Sequence, residues 1–522
     1  TGTVVDATGG VLPGVTVTVV NASTGNSFLG VTDARGNYRV PVRVGVYKMS
    51  MELPGFATVM QDFEALVGQI VSVNAQMRPS AVQESVTVTG EAPLIETTSS
   101  TLAGNIDPRQ TKDLPVNGGN WLDLSLLAPG NRSNGTDPNT PTARQRFDFQ
   151  LNIDGQQVTN NGRAGAANPR VSQEAVGEFQ FVASRWDASQ GRSNGVLVNA
   201  VTKSGSNTSS GSFTGSFRSD RFNAPDFVQK RVLPYKNQRF NGTYGGPIRK
   251  DRAHYFAYYE REREPSTITF NSPYPSFNVD QKRDVLDWNM GTRLDFQVGA
   301  QQRLMVRATK WIRTDPAYSA LNGATSHPSA QGFSSANADT VFATFSKVLG
   351  NRGLNEVKGG YTGAVERNRS VVTWTGHPQA AVAGVTNGAP RINFNGYAFG
   401  NNNTNWPQTL GQQVVSIRDD LSYSFNKGGR HDIKTGGEYL NTFFYLYNCR
   451  PCVGIYDAST SRPPANIEQI IPVWNNPNTW NLNALNPLIR SYQIGVGEFG
   501  GRAKRHTVAT WIQDDWKTTQ RL

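Results

Sequence analysis

The stretch VVSIRDDLSYSF, residues 414–425, decides the fold. Ile417, Leu421, Tyr423 and Phe425 share one face, interrupted by Asp419, while Arg418, Asp420, Ser422 and Ser424 share the other. A period of two is the signature of a strand. One apolar and one polar face fit a wall between lipid and a wet interior. The same pattern recurs through 212–522, for example in HYFAYYERE (254–262), QRLMVRATKW (302–311) and HDIKTGGEYLNTFFYL (431–446), giving about ten strands.

The connections separate a barrel from a sandwich. GPIRKD (246–251), VGAQ (298–301), GNR (350–352) and NKGGR (426–430) are short, whereas long polar links lie near 219–236, 264–284, 315–338, 367–410 and 448–503. A transmembrane barrel alternates in this way, with short turns on the inner side and long loops outside. Trp288, Trp311, Trp511 and Trp516 sit near strand ends, where an aromatic girdle is expected. A barrel that encloses a plug needs roughly 22 strands. With about ten strands and an end at DDWKTTQRL (514–522), the expectation is the first part of a large barrel.

Composition agrees with a mainly β protein. Of the 522 residues 37% are hydrophobic, 10% aromatic and 17% charged, and there are 52 Gly. No run of 18 apolar residues marks a membrane helix. The net charge of +11 is spread along alternating strands rather than gathered in a dense basic run. That distribution points to solvated or pore-lining charge, and nucleic acid is not expected as a partner.

Residues 1–80 form a separate block. VTVTVVN (15–21), GNYRVPV (36–42) and VYKMSMEL (46–53) alternate, and DATGG, DARGN and LPGF mark turns between them. Roughly seven short strands in this length predict a small β-sandwich. Residues 81–93 hold a further strand pattern, Glu84, Ser85, Val86, Thr87, Val88 and Thr89, closed off by Pro79 and Pro93 with no hairpin partner on either side. An unpaired strand edge is a liability that proteins usually hide.

From 94 to 211 the pattern changes. IDPRQTKDLPVNGGNWLDLSLLAPG (106–130) predicts a short helix, a turn and an amphipathic stretch. FQLNIDGQQVTN (149–160) is a strand closed by Asp154-Gly155, a hairpin turn pair. Two more strands fall within 171–207. GRSNG (191–195) lacks the G-K-[ST] ending of a phosphate loop.

Two resemblances follow. GTVVDATGGVLPGVTVTV, VTDARGNYRV and VGVYKMSMELPGF resemble the carboxypeptidase regulatory-like domain, a transthyretin-like member of the carbohydrate-binding-like folds, with Val44-Gly45 where Pro-Gly is usual. LPVNGGNW, NIDG, EFQF and GVLVNAVTKSGSN, in that order, resemble the plug domain of TonB-dependent outer-membrane receptors of the Oar-like branch. Gly119 stands where Arg is common there, and Ser210-Gly211 where His-Gly is common. The motif positions are Asn117, Gly118, Asp154, Gly155, Thr202, Lys203, Ser204 and Gly205.

The plug resemblance implies a receptor in the outer membrane of a Gram-negative bacterium, with its first domain in the periplasm. It implies that a scarce solute binds between plug and long loops, and that TonB, with ExbB and ExbD, supplies the energy. Residues 84–89 sit where the TonB box of such receptors lies, with an exposed edge to which TonB could add a strand. The chain then divides into a sandwich (1–80), a TonB-box-like linker (81–93), a plug (94–211) and a partial barrel (212–522). The alternative is a passive or adhesive outer-membrane protein that binds glycan or protein through its first domain and loops.

Enzymatic signatures are missing. None of the five histidines opens an H-x-x-E or H-E-x-x-H, so no zinc peptidase is predicted despite the first domain's family name. No nucleophile or paired-carboxylate pattern marks a hydrolase, and no metal or cofactor is expected. Cys449 and Cys452, in CRPC, follow a strand end and lack both a helix N-terminus and further zinc ligands. A small loop disulfide in an oxidising compartment is the expectation.

Overall fold

The computed structural model describes the chain except residues 81–85, 90–101, 115, 117–119, 129–148, 159–169, 185–186, 192–195, 228–229, 319–323, 351, 375–387 and 519–522. Strands dominate, and among the described residues no helix is long and apolar enough to cross a membrane.

The first block packs two sheets face to face. Its strands are β1 (Gly2–Asp6), β2 (Thr16–Asn21), β3 (Ser27–Val31), β4 (Asn37–Tyr38), β5 (Gly45–Glu52), β6 (Val59–Ala65) and β7 (Ala75–Met77). One sheet has the order β4-β1-β7. The other runs β3-β2-β5-β6 and ends in an added strand, β8 (Val86–Thr89). The alternating residues of β2 and β5 explain the core: Val17, Val19, Tyr47, Met49 and Met51 point inward and are buried.

The second block is a mixed five-stranded sheet, ordered β11-β10-β13-β12-β9, made of β9 (Leu102–Ile106), β10 (Phe149–Ile153), β11 (Gln156–Gln157), β12 (Val176–Ser184) and β13 (Val196–Thr202). The short helix α1 (Pro108–Asp113) carries a capping box: Asp107 caps Gln110, and Gln110 bonds back to Asp107. Trp121, at the start of a 3₁₀ turn over Trp121–Leu127, packs edge-on against Phe179 at 5.0 Å and donates to Val171 O at 3.0 Å.

The third block is one antiparallel ten-stranded sheet. In chain order it is built from β14 (Ser210–Ser219), β15 (Lys236–Arg249), β16 (Ala253–Thr269), β17 (Asp280–Gly299), β18 (Gln302–Tyr318), β19 (Gly332–Leu349) and β20 (Gly353–Ser370). After an excursion through β21 (Arg391–Phe394) and β22 (Tyr397–Gly400) it continues in β23 (Gln408–Asn426) and β24 (Arg430–Asn448). After a second, through β25 (Ile455–Ala458) and β26 (Ser491–Gln493), it ends at β27 (Gly500–Lys517). Among the described residues β14 and β27 do not pair, so the sheet is open.

The expected two faces are present. Val415 and Ile417 are more than half exposed on the outer face. On the inner face, Arg418 donates to Ser189 O of the second block at 2.9 Å, and Asp420 pairs with Lys358 at 3.0 Å. The strands run further into the long links than the sequence indicated: β16 reaches Thr269 and β17 starts at Asp280. The girdle expectation is corrected in part. Trp516 is exposed on the outer face, but Trp311 is buried, donates to Asp287 at 2.9 Å and lies under Arg170 of the second block at 5.4 Å. Trp511 stacks with inward-facing Arg418 at 4.5 Å.

The long links pack together at their end of the sheet. β21, β22, β25 and β26 form one four-stranded sheet over a core that includes Phe277, Trp374, Phe399, Ile470 and Trp480.

Candidate functional site: the plug anchor and the stored strand

Asp154 and Gly155 form the turn between β10 and β11, both with positive φ (51° and 78°), as the mirror-image hairpin turn requires. The turn presents the Asp154 carboxylate to the end of β13. Thr202 donates to it twice, from N at 2.9 Å and Oγ1 at 2.8 Å. Two guanidinium groups close on it from the ten-stranded wall. Arg293 Nη1 lies 3.2 Å from Oδ1, and Arg307 Nε lies 3.5 Å from Oδ2. Arg293 also donates to Thr202 O at 2.6 Å and pairs with Asp295 at 2.7 Å, while Arg307 rests over Phe342 at 5.1 Å. Removing one partner from so buried a set leaves an uncompensated charge, which is costly.

The rest of the motif continues this anchor. Lys203 N donates to Ala175 O at 2.8 Å, and its ammonium lies 4.0 Å from Glu174. Burial lowers the Lys203 ammonium's pKa, with Glu174 opposing. A Cβ on Gly205 would lie 2.2 Å from Tyr255 O and 2.8 Å from Gly246 O. Only glycine lets the chain pass this close to β15 and β16. Ser204 and Gly205 border a cavity of ≈1640 Å³ whose walls include Asp154, Arg293, Arg39 and Arg43. Thus Asp154, Gly155 and Thr202–Gly205 converge on one junction. Asn117 and Gly118 lie outside the described residues.

The strand expected to stand alone does not. Val86–Thr89, as β8, pairs in parallel with β6, with Val59↔Val86 and Asp62↔Thr89 as the outer partners. A hairpin partner was the wrong thing to look for, because parallel pairing needs a crossover and not a tight turn. β8 is the last strand of its sheet, so its second edge is open among the described residues. Glu84 and Ser85 lie outside the described residues.

The sandwich carrying this strand sits at the short-turn end. Arg39 pairs with Asp432 at 2.8 Å and Arg43 with Asp295 at 2.7 Å, both on the inner wall. Asn207 N donates to Ser23 O at 2.8 Å. Just beyond β6, Val67 N donates to Glu178 Oε1 of β12 at 2.5 Å, and Val67 O accepts from Asn105 of β9 at 2.8 Å. Burial pushes the Glu178 carboxyl up to about 8, opposed by the Val67 bond and reinforced by Glu64 and Asp107.

At the other end, Cys449 and Cys452 are joined in a disulfide with Cα atoms 5.0 Å apart, within the core of the loop cap. His327 is enclosed by Phe277 at 4.3 Å and Phe399 at 4.8 Å, and its Nδ1 lies 2.7 Å from Ser329 Oγ. Burial drives this imidazole down to about 3, so it is neutral at physiological pH.

A small mixed sheet anchored against the inner face of a long amphipathic antiparallel wall is the arrangement of an outer-membrane β-barrel protein. Residues 201–280 and 271–522 match the outer membrane beta barrel domain, and the chain belongs to that family. Residues 1–78 match the carboxypeptidase regulatory-like domain. The TonB-dependent transporter Oar of Myxococcus xanthus is 30% identical over 249 residues, 44% of this chain and 23% of that protein. The outer membrane transporter YddB from Escherichia coli shares the fold, with a TM-score of 0.52 at 11% identity over 80% of this chain and 55% of that one. The chain therefore matches about half the length of that structure and under a quarter of that relative.

Proposed function

We propose that the protein is a TonB-dependent outer-membrane receptor that binds a solute at the cell surface and imports it with energy relayed by TonB, ExbB and ExbD. One observation carries the reading: a plug sheet held in the wall through Asp154, Thr202, Arg293 and Arg307, with a short strand just before it that offers an open edge at the short-turn end. A plug that blocks the lumen and must be moved needs a handle on the energised side. A strand edge supplies one, through main-chain hydrogen bonds to a partner strand. Residues 1–80, 81–93, 94–211 and 212–522 serve as docking domain, coupling strand, plug and wall. Adhesion through the sandwich is less well supported, because that domain faces the short-turn end, opposite the loop cap.

No step of this function needs an acid, a base or a nucleophile, and we assign no enzymatic activity. Val86→Pro removes a backbone donor from β8. Uptake should fall to background while binding of solute to the cell surface is unchanged. Unimpaired uptake would reduce residues 81–93 to a linker.

A further inference from the structure

We propose that the coupling partner grips the sandwich and the strand as one body: its strand adds to the open edge of β8 while β8 stays paired with β6. The inference rests on the import reading above and goes further, because it makes the first domain part of the coupling apparatus.

Three observations carry it. β8 has one edge occupied by β6 and one open among the described residues. A strand needs only one edge to be augmented, so nothing has to be broken first. β6 ends at Ala65, and two residues later Val67 bonds to Glu178 and Asn105 on neighbouring plug strands. Gly68 (φ +71°) is pressed so close that a Cβ there would lie 2.3 Å from Gln180 Oε1. A pull on the extended sheet therefore reaches β9 and β12 through a path of hydrogen bonds and close contact.

The covalent route from β8 to the second sheet is longer in sequence, running from Thr89 to Leu102, whereas Val67 lies two residues beyond β6. Force on a strand kept in the sheet first loads Arg39–Asp432 and Arg43–Asp295, the pairs that hold the sandwich to the wall.

The test uses the purified full-length protein and, as probe, the purified periplasmic domain of TonB from the same cell. Gln61→Cys with Val88→Cys places thiols at partnered positions of the β6–β8 ladder. With this pair oxidised, affinity for the probe should stay within about twofold of the reduced protein. A tenfold or greater loss on oxidation would mean that β8 must leave β6, and would overturn the proposal. Deuterium exchange on the unaltered protein reads the same point without a variant. Amides of residues 59–62 should keep their protection when the probe binds, and loss of it would also overturn the proposal. An absence of probe binding to the unaltered protein is a different result, because it sinks the import reading itself.

Discussion

Glu178 is one of the residues on which the sandwich rests, and its chemistry gives that contact a pH dependence. Burial holds its carboxyl up near 8, against an ordinary value of 4.5. Below that ordinary value the group is neutral whether docked or free. Between there and about 8 the docked state alone retains the proton, so docking loses ground steadily as pH rises, and levels off above that range. Relative to the intrinsic base-catalysed exchange rate, protection of the amides of residues 66–69 should therefore fall from pH 5 to pH 8, and Glu178→Gln should flatten that protection profile. Asp154 is the second telling residue. Asp154→Ala strips Arg307 of its ion-pair partner and Thr202 of its acceptor. Loss of about 3–5 kcal/mol of plug seating is expected, seen as protease cleavage of the plug at lower urea. At Gly205 the added methyl of Gly205→Ala meets backbone oxygen and not a movable side chain. A loss of about 1–3 kcal/mol should appear as a lower Tm.

At the scale of elements, parity explains most of what the sequence reveals. In β17 the odd positions Asp287, Asn289, Arg293 and Asp295 are polar, while Leu286, Trp288, Met290 and Leu294 carry the other face. The same rule places Trp311 with Arg307, Thr309 and Arg313, on the inner face where it is found. Trp511 likewise shares parity with Gln513, whose side chain accepts from plug Ala188 N at 2.7 Å. Proximity to a strand end was thus the wrong signal for these two tryptophans, and the alternation around them was the right one. The loop cap was not legible. Its sheet joins Arg391–Phe394 to Ile455–Ala458 in parallel, across two links that read only as Asn-, Gly- and Pro-rich. The cap has its own core, so it should unfold on its own. Phe399→Ala, at a fully buried ring, should cost the cap about 3–5 kcal/mol, exposing 449–499 to protease while the wall stays intact.

For the whole molecule, the anchor and the stored strand depend on contacts between distant parts of the chain. Asp154 and Arg293 are 139 positions apart, and Arg39 and Asp432 are 393 apart. No local pattern announces such pairs; motif order located Asp154 and Thr202, but not the arginines that answer them. The parallel partner of β8 was hidden for the same reason, since β6 lies across an intervening strand of the sandwich. The sandwich's contacts with the wall include two ion pairs at partly exposed arginines, which salt screens. Its docking should weaken as salt rises, and Arg39→Ala with Arg43→Ala should reproduce that loosening at low salt, both measured by exchange in β6 and the Val67 loop. Import as proposed is driven through the plug by the inner membrane's proton gradient. The direct measurement is accumulation of labelled ferric siderophores, oligosaccharides and peptides by cells making the full-length protein, before and after a protonophore collapses the gradient. Any solute the protein admits is expected to stop accumulating while still binding the cell surface. Accumulation that continues undiminished through the collapse would contradict this expectation.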